Sequence, residues 1–111
     1  MASKFRVSVS MSEAPAAAQA KAVSALEDAA RRVGLRLTKR ESGELGYRPR
    51  VQFPFFLMLW HYLSGERMTA RFQAGASGGT TVTLAGAVAP GALALASDPG
   101  HWAEPLGASE S

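Results

Sequence analysis

The sequence predicts an α+β domain: an antiparallel sheet of four to five strands with one long helix packed across one face, in the order β-α-β-β-β-β. Three observations predict it. Apolar and polar residues alternate over residues 4–11 and 67–74, and residues 80–88 set Val82, Leu84 and Val88 against Thr81 and Thr83. One alanine-rich segment between residues 12 and 33 carries helical spacing instead. Short Gly-centred turns, Ser42-Gly43-Glu44 and Ser64-Gly65-Glu66, sit between successive extended segments. Consecutive strands joined this way pair antiparallel, and a helix inserted after the first strand covers one face of the sheet.

The first strand places Phe5, Val7, Val9 and Met11 on one side and Lys4, Arg6, Ser8 and Ser10 on the other. A period of two with one wet face is the mark of a half-buried strand. Ser12-Glu13-Ala14-Pro15 then opens the helix: Ser12 or a neighbour caps it, Glu13 suits its positive end and Pro15 fits its first turn. Ala16, Val23, Leu26, Ala30 and Val33 form the apolar stripe expected to face the sheet, and Gly34 stops the helix.

Leu35 to Glu41 reads as a second strand, with Leu35 and Leu37 inward and Arg36, Thr38 and Arg40 outward. The return strand sets Leu45, Tyr47, Val51 and Phe53 against Arg48, Arg50 and Gln52. Pro49 cannot donate to a ladder, which places this stretch at an edge or interrupts it. Arg67 to Ala74 and Thr80 to Val88 complete the sheet, with Met68, Ala70, Phe72, Val82, Leu84 and Val88 inward. Pro90 to Ala96 reads as a short C-terminal helix. Residues 1–96 form the single α+β domain, and 97–111, rich in Pro, Gly and Ser, read as a flexible tail in which Trp102 is the largest apolar group.

Between these segments lies the run Val51 to Leu63. It holds five of the nine aromatic residues, Phe53, Phe55, Phe56, Trp60 and Tyr62. Residues 54–63 fit either a short helix or a strand, with Pro54 favouring the helix start. The run is apolar on every side. One reading makes it the far half of the core, covered by the tail and Trp102. The other makes it a contact surface, because an exposed apolar patch of a few hundred Å² usually marks binding, and Trp and Tyr suit interfaces.

Composition narrows the function classes. The chain has 111 residues and no Cys, which removes disulfides, thiolate metal sites and Cys nucleophiles. The longest apolar run is about a dozen residues where a membrane helix needs about 20. The N-terminus enters a strand pattern with no apolar leader, so a cytoplasmic protein without a transmembrane segment is expected. Net charge is +3, and the cations cluster: Arg31, Arg32, Arg36, Lys39, Arg40, Arg48 and Arg50 face only Glu41 and Glu44 between residues 31 and 50. Of these, Arg36, Arg40, Arg48 and Arg50 are the candidate anion-facing set. No helix-turn-helix, zinc-finger or aromatic-basic RNA motif accompanies them, which argues against nucleic acid.

Catalytic signals are weak. His61, between Trp60 and Tyr62, reads as a packed residue, and His101 has no neighbouring ligand in sequence. Gly75 to Gly79 precedes a strand and lacks the Lys-Ser/Thr ending of a phosphate loop. No catalytic residue, metal site or cofactor is expected.

The opening Phe5-Arg-Val-Ser-Val-Ser-Met-Ser-Glu-Ala-Pro-Ala resembles the first strand and following helix of the helix-grip ligand-binding domains of the START and Bet v 1 type. The resemblance covers about a quarter of the chain and implies a sheet and helix enclosing an apolar ligand. The chain lacks the long C-terminal helix of those domains, and no site residue is carried over.

The expected function is therefore a non-enzymatic binding or assembly module. It self-associates, as a homodimer, through Phe53, Phe55, Phe56, Trp60 and Tyr62. The first alternative is a carrier or sensor of an apolar small molecule held between helix and sheet. The second is phosphate or nucleic-acid binding by the Arg-rich strands.

Overall fold

The computed structural model of the chain describes residues 2–49, 65–75 and 78–110. It is an α+β fold in which every sheet pairing among these residues is antiparallel. The elements are β1 (Ser3–Met11), α1 (Pro15–Ala25), α2 (Glu27–Arg32), β2 (Leu35–Glu41), β3 (Glu44–Pro49), β4 (Arg67–Ala74) and β5 (Thr80–Val88). A 3-10 turn at Pro90–Ala92, α3 (Leu93–Ala96), α4 (Pro99–Leu106) and β6 (Ser109–Glu110) follow. The sheet order is β2-β3-β4-β5-β1-β6, so the first strand lies between the fifth and the sixth.

The alternating segments become strands with the expected inner faces. Phe5, Val7, Val9, Met11, Leu45, Tyr47, Met68, Ala70, Phe72, Val82, Leu84 and Val88 are all buried. β1 and β5 pair along their whole length, from Ser3 opposite Val88 to Met11 opposite Thr80. β4 and β5 approach closely at Gly86, where a Cβ would stand 2.1 Å from the Arg67 carbonyl oxygen. Only glycine fits that contact.

The long helix departs from expectation in three ways. It divides at Leu26, whose φ of −87° and ψ of −6° loosen one turn. Hydrogen bonds from Leu26 N to Ala22 O and from Ala30 N to Leu26 O still cross the break. The break turns the chain so that Leu26, Ala30 and Val33 all stay buried on the twisted sheet. The stripe is also rotated: Ala18, Ala22 and Ala29 are buried, whereas Ala16 is exposed and Val23 half-buried. Alanines occupy most positions of α1, so no single face stands out by hydrophobicity, and packing chose the face. Finally, Ala14 rather than Ser12 occupies the N-cap, with no side-chain capping bond. Pro15 at the first helical position has no N–H to cap. Gly34, with φ +82°, ends the helical segment as expected.

The segment expected as a loose tail is folded. Asp98 caps α4, accepting a hydrogen bond from Gly100 N at 3.0 Å, and Gly107 closes it in the left-handed region at φ 62°. Trp102 is fully buried and stacks parallel to Phe5 at a centroid distance of 6.5 Å. Its indole N–H donates to Ala96 O at 2.8 Å. The correction has a geometric cause. α1 packs on β3 and β4 and α2 on β2, while β1 is covered by α3 and α4. A helix covers a width of about 10 Å and strands lie about 4.8 Å apart, so one helix cannot cap five strands. β6 then pairs with β1 at Val9 and Ser10 and supplies the sixth strand.

Trp102→Ala is therefore expected to cost about 3–5 kcal/mol, read by urea unfolding. A loss below about 0.5 kcal/mol, the range for exposed positions, would return the segment to a loose tail.

Candidate functional site

Arg50 and the aromatic candidates Phe53, Phe55, Phe56, Trp60 and Tyr62, with His61, lie outside the described residues. The described strands place the remaining candidates on two different faces of the sheet.

Arg36 stands directly opposite Arg48 across the β2–β3 ladder. Both are exposed and point away from the helices, since their neighbours Leu35 and Tyr47 are buried beneath them. The same open face carries Arg67 and Lys4, which flank Ala87 from β4 and β1, and Arg6, which pairs with Ala85. Arg67 and Lys4 are thus two strand spacings apart, about 10 Å. Between the cations the outward positions are small: Gly46 opposite Thr69, Thr69 opposite Ala85, and Thr83 opposite Ser8. The long side chains stand around a shallow floor.

Acidic groups on this face are few. Glu44 approaches Arg71 at 3.7 Å, and Glu41 holds Lys39 at 3.1 Å. Lys4, Arg6, Arg36, Arg48 and Arg67 make no ion pair with a described residue. Like charges directly opposite on a ladder destabilise a sheet, so the Arg36–Arg48 pairing opposes folding rather than helping it. Lys4, Arg6 and Arg67 were missing from the sequence-derived anion-facing set. Their signal was present in the outward half of each alternation, but the strand order that gathers them was not.

Arg40 is on the other face. The β2–β3 register shifts between Leu37 and Lys39, a β-bulge at Thr38. One extra residue reverses the parity of the strand. Beyond it, Arg40 pairs with Leu45, a fully buried core residue, instead of facing outward with Arg36. The expectation of Arg36 and Arg40 on one face is corrected accordingly. Gln19 of α1 fixes this end of the hairpin: its side-chain amide donates to Glu41 O, and its Oε1 accepts from Gly43 N at 2.8 Å.

Tyr47 is the unusual buried group. The residue is 1% exposed, and its hydroxyl has no hydrogen-bond partner among the described residues. Burial pushes its pKa up to about 12, against a smaller opposing effect from the Arg40 charge. His101, expected without a neighbour, makes a hydrogen-bond contact from Nε2 to Ala29 O at 2.9 Å and meets Trp102 edge-on at 4.7 Å. It joins α4 to α2. Among the described residues no group of three His, Cys, Asp or Glu is placed to hold a metal, and no helix is long and apolar enough to cross a membrane.

No protein-family model, curated protein or solved structure matches the chain.

The Tyr47 hydroxyl yields a measurable consequence. An unpartnered buried hydroxyl costs about 1–3 kcal/mol, so Tyr47→Phe should raise stability by about 1 kcal/mol at neutral pH. The raised pKa favours the neutral phenol in the folded state. Its contribution is complete below the unfolded value near 10 and is lost as pH rises from there through about 12. Denaturation at pH 7 to 12 should show the wild type losing more stability than Tyr47→Phe above pH 10; parallel curves would refute the assignment.

Proposed function

We propose that the protein is a non-enzymatic binding module whose open cationic sheet face docks an acidic protein surface. The observation that carries this reading is the cluster of Lys4, Arg6, Arg36, Arg48 and Arg67 on one face without a carboxylate partner among the described residues. A cross-strand Arg pair that weakens its own sheet gains a reason if an external anion neutralises it. The small outward residues Gly46, Thr69, Ala85 and Ala87 let a flat surface approach the guanidinium groups. The outward positions of the described strands carry no aromatic side chain, and single-stranded nucleic acids rely on aromatic stacking. That favours an acidic protein over RNA or single-stranded DNA.

The test is fluorescence anisotropy with a labelled poly-glutamate peptide, set against a single-stranded oligonucleotide of equal charge. Peptide affinity should fall steeply with salt and drop further in Arg48→Thr. The same variant should gain a few tenths of a kcal/mol in stability at low salt by removing the Arg36–Arg48 repulsion. Salt-independent binding would overturn the reading, and clear preference for the oligonucleotide would reassign the partner class.

The second reading is self-association through the segment Phe53 to Leu63, favoured by its share of the chain's aromatic residues. A dimer in a cytoplasmic setting belongs to this proposal. Native mass spectrometry of the intact chain should then give a dimer mass, and the double variant Phe56→Ala, Trp60→Ala a folded monomer. A wild-type monomer would remove this reading.

A further inference from the structure

Arg40 is a cation on the helix-covered side of the sheet, brought there by the bulge at Thr38. It has no ion-pair partner among the described residues, although Arg31 and Lys39 nearby are engaged with Asp28 and Glu41. Among the described residues the space beside it is open. A groove of about 580 Å³ lies between α1, α2 and β2, with Val23, Glu27, Arg31, Leu35, Leu37 and Arg40 on its walls. A second hollow of about 540 Å³ continues beside it, against Ala16, Ala20, Leu45 and Phe72. Val23 and Arg40 line both.

The space has two structural causes. α1 presents Ala16 and Ala20 where larger side chains would close the gap, and β2 is the edge strand, with no further strand to hold it against the helix. The result is a trough in two parts: the second hollow is walled mainly by hydrocarbon with Arg40 as its one cation, while the β2 groove also carries Ser24, Glu27, Arg31, Arg36, Thr38 and Lys39. Arg40 is exposed at the rim of the hollow, and its guanidinium is the group an anionic head would engage.

We propose that this trough binds a long-chain carboxylate, with the carboxylate on Arg40 and the alkyl chain along Val23, Leu37 and the Ala16–Ala20 side of α1. Guanidinium and carboxylate match in geometry as well as charge, since Arg can donate two parallel hydrogen bonds to the two oxygens. Val23 and Leu37 are half-buried, so an alkyl chain has apolar area left to cover. Arg36 of the open face reaches the β2 groove, whereas Arg48, Arg67, Lys4 and Arg6 lie on the opposite side of the sheet.

The experiment titrates the intact protein with dansyl-undecanoic acid and, in parallel, with its methyl ester. The acid should bind saturably with a blue-shifted, enhanced emission, and the ester at least about tenfold more weakly. Arg40→Gln should lose the preference for the acid, Arg40→Lys should keep most of it, and Ala20→Trp should block both probes by filling the trough. Arg48→Gln, on the open face, should change nothing, which separates this site from the proposed partner surface. Far-UV circular dichroism checks that each variant is folded. Absence of saturable binding, or equal affinity for acid and ester in the wild type, would overturn the proposal, and the ester comparison needs no variant.

Discussion

The width of the sheet is the constraint on which the rest of the molecule depends. Its five longer strands present one continuous row of large side chains, from Leu35 at one edge to Phe5, Val7 and Val9 near the other. The α1–α2 pair reaches β2, β3 and β4, and the end of the sheet at β1 needs a second cover. Trp102 is that cover's anchor. It lies flat against Phe5 and ties its N–H to Ala96 O, while His101 beside it reaches Ala29 of α2. Trp102 thereby fastens the C-terminal helices to the first strand, and His101 fastens them to the N-terminal helices. The burial of a Trp is large enough to offset the ordering of a short Pro- and Gly-containing helix, whose own propensity is poor.

The second consequence concerns the helix interface. α1 meets the sheet through Ala18 and Ala22, and α2 through Ala29 and Ala30. Small side chains permit close approach, and close approach excludes water from the larger residues of the strands. The same economy leaves the β2 side under-filled. There α1 and α2 present Val23, Ser24, Glu27 and Arg31 to a strand that bulges at Thr38, and a groove remains between the layers. A trough forms where the fold saved volume, and the parity reversal at Thr38 sets a charge in its wall.

The open face obeys a different logic. Its cations contribute little to folding, because exposed charges gain little from one another in water and Arg36 faces Arg48 directly. Apolar burial on the opposite face supplies the stability that this arrangement reduces. A small sheet with one face dedicated to its core is free to present charge on the other, and this chain does so with Arg and Lys separated by Ala, Thr and Gly.

What the sequence by itself determined is the set of strands and their inner faces. A period of two is a local property: Phe5-x-Val7-x-Val9-x-Met11 can bury one side in only one way, and the structure buries it so. Gly34 as a helix stop was legible for the same local reason. The C-terminal helix was written in equally local terms, with Asp98-Pro99 as its start and Gly107 as its end. There the composition of the segment outweighed the signals, because nothing local showed that β1 lacked a cover. The faces of Arg36 and Arg40 could not be separated by pattern. Their spacing of four residues places them on one side of any regular strand, and only the pairing of β2 with β3 shows that Thr38 is an extra residue. The gathering of Lys4, Arg6, Arg48 and Arg67 likewise needed the order β3-β4-β5-β1, a non-local pairing of the chain's first strand with its fifth. Alternation is settled between neighbours in the chain. Register, helix coverage and the company each charge keeps are settled between strands far apart in it, where packing of the whole core selects one pairing among many that the local pattern would allow.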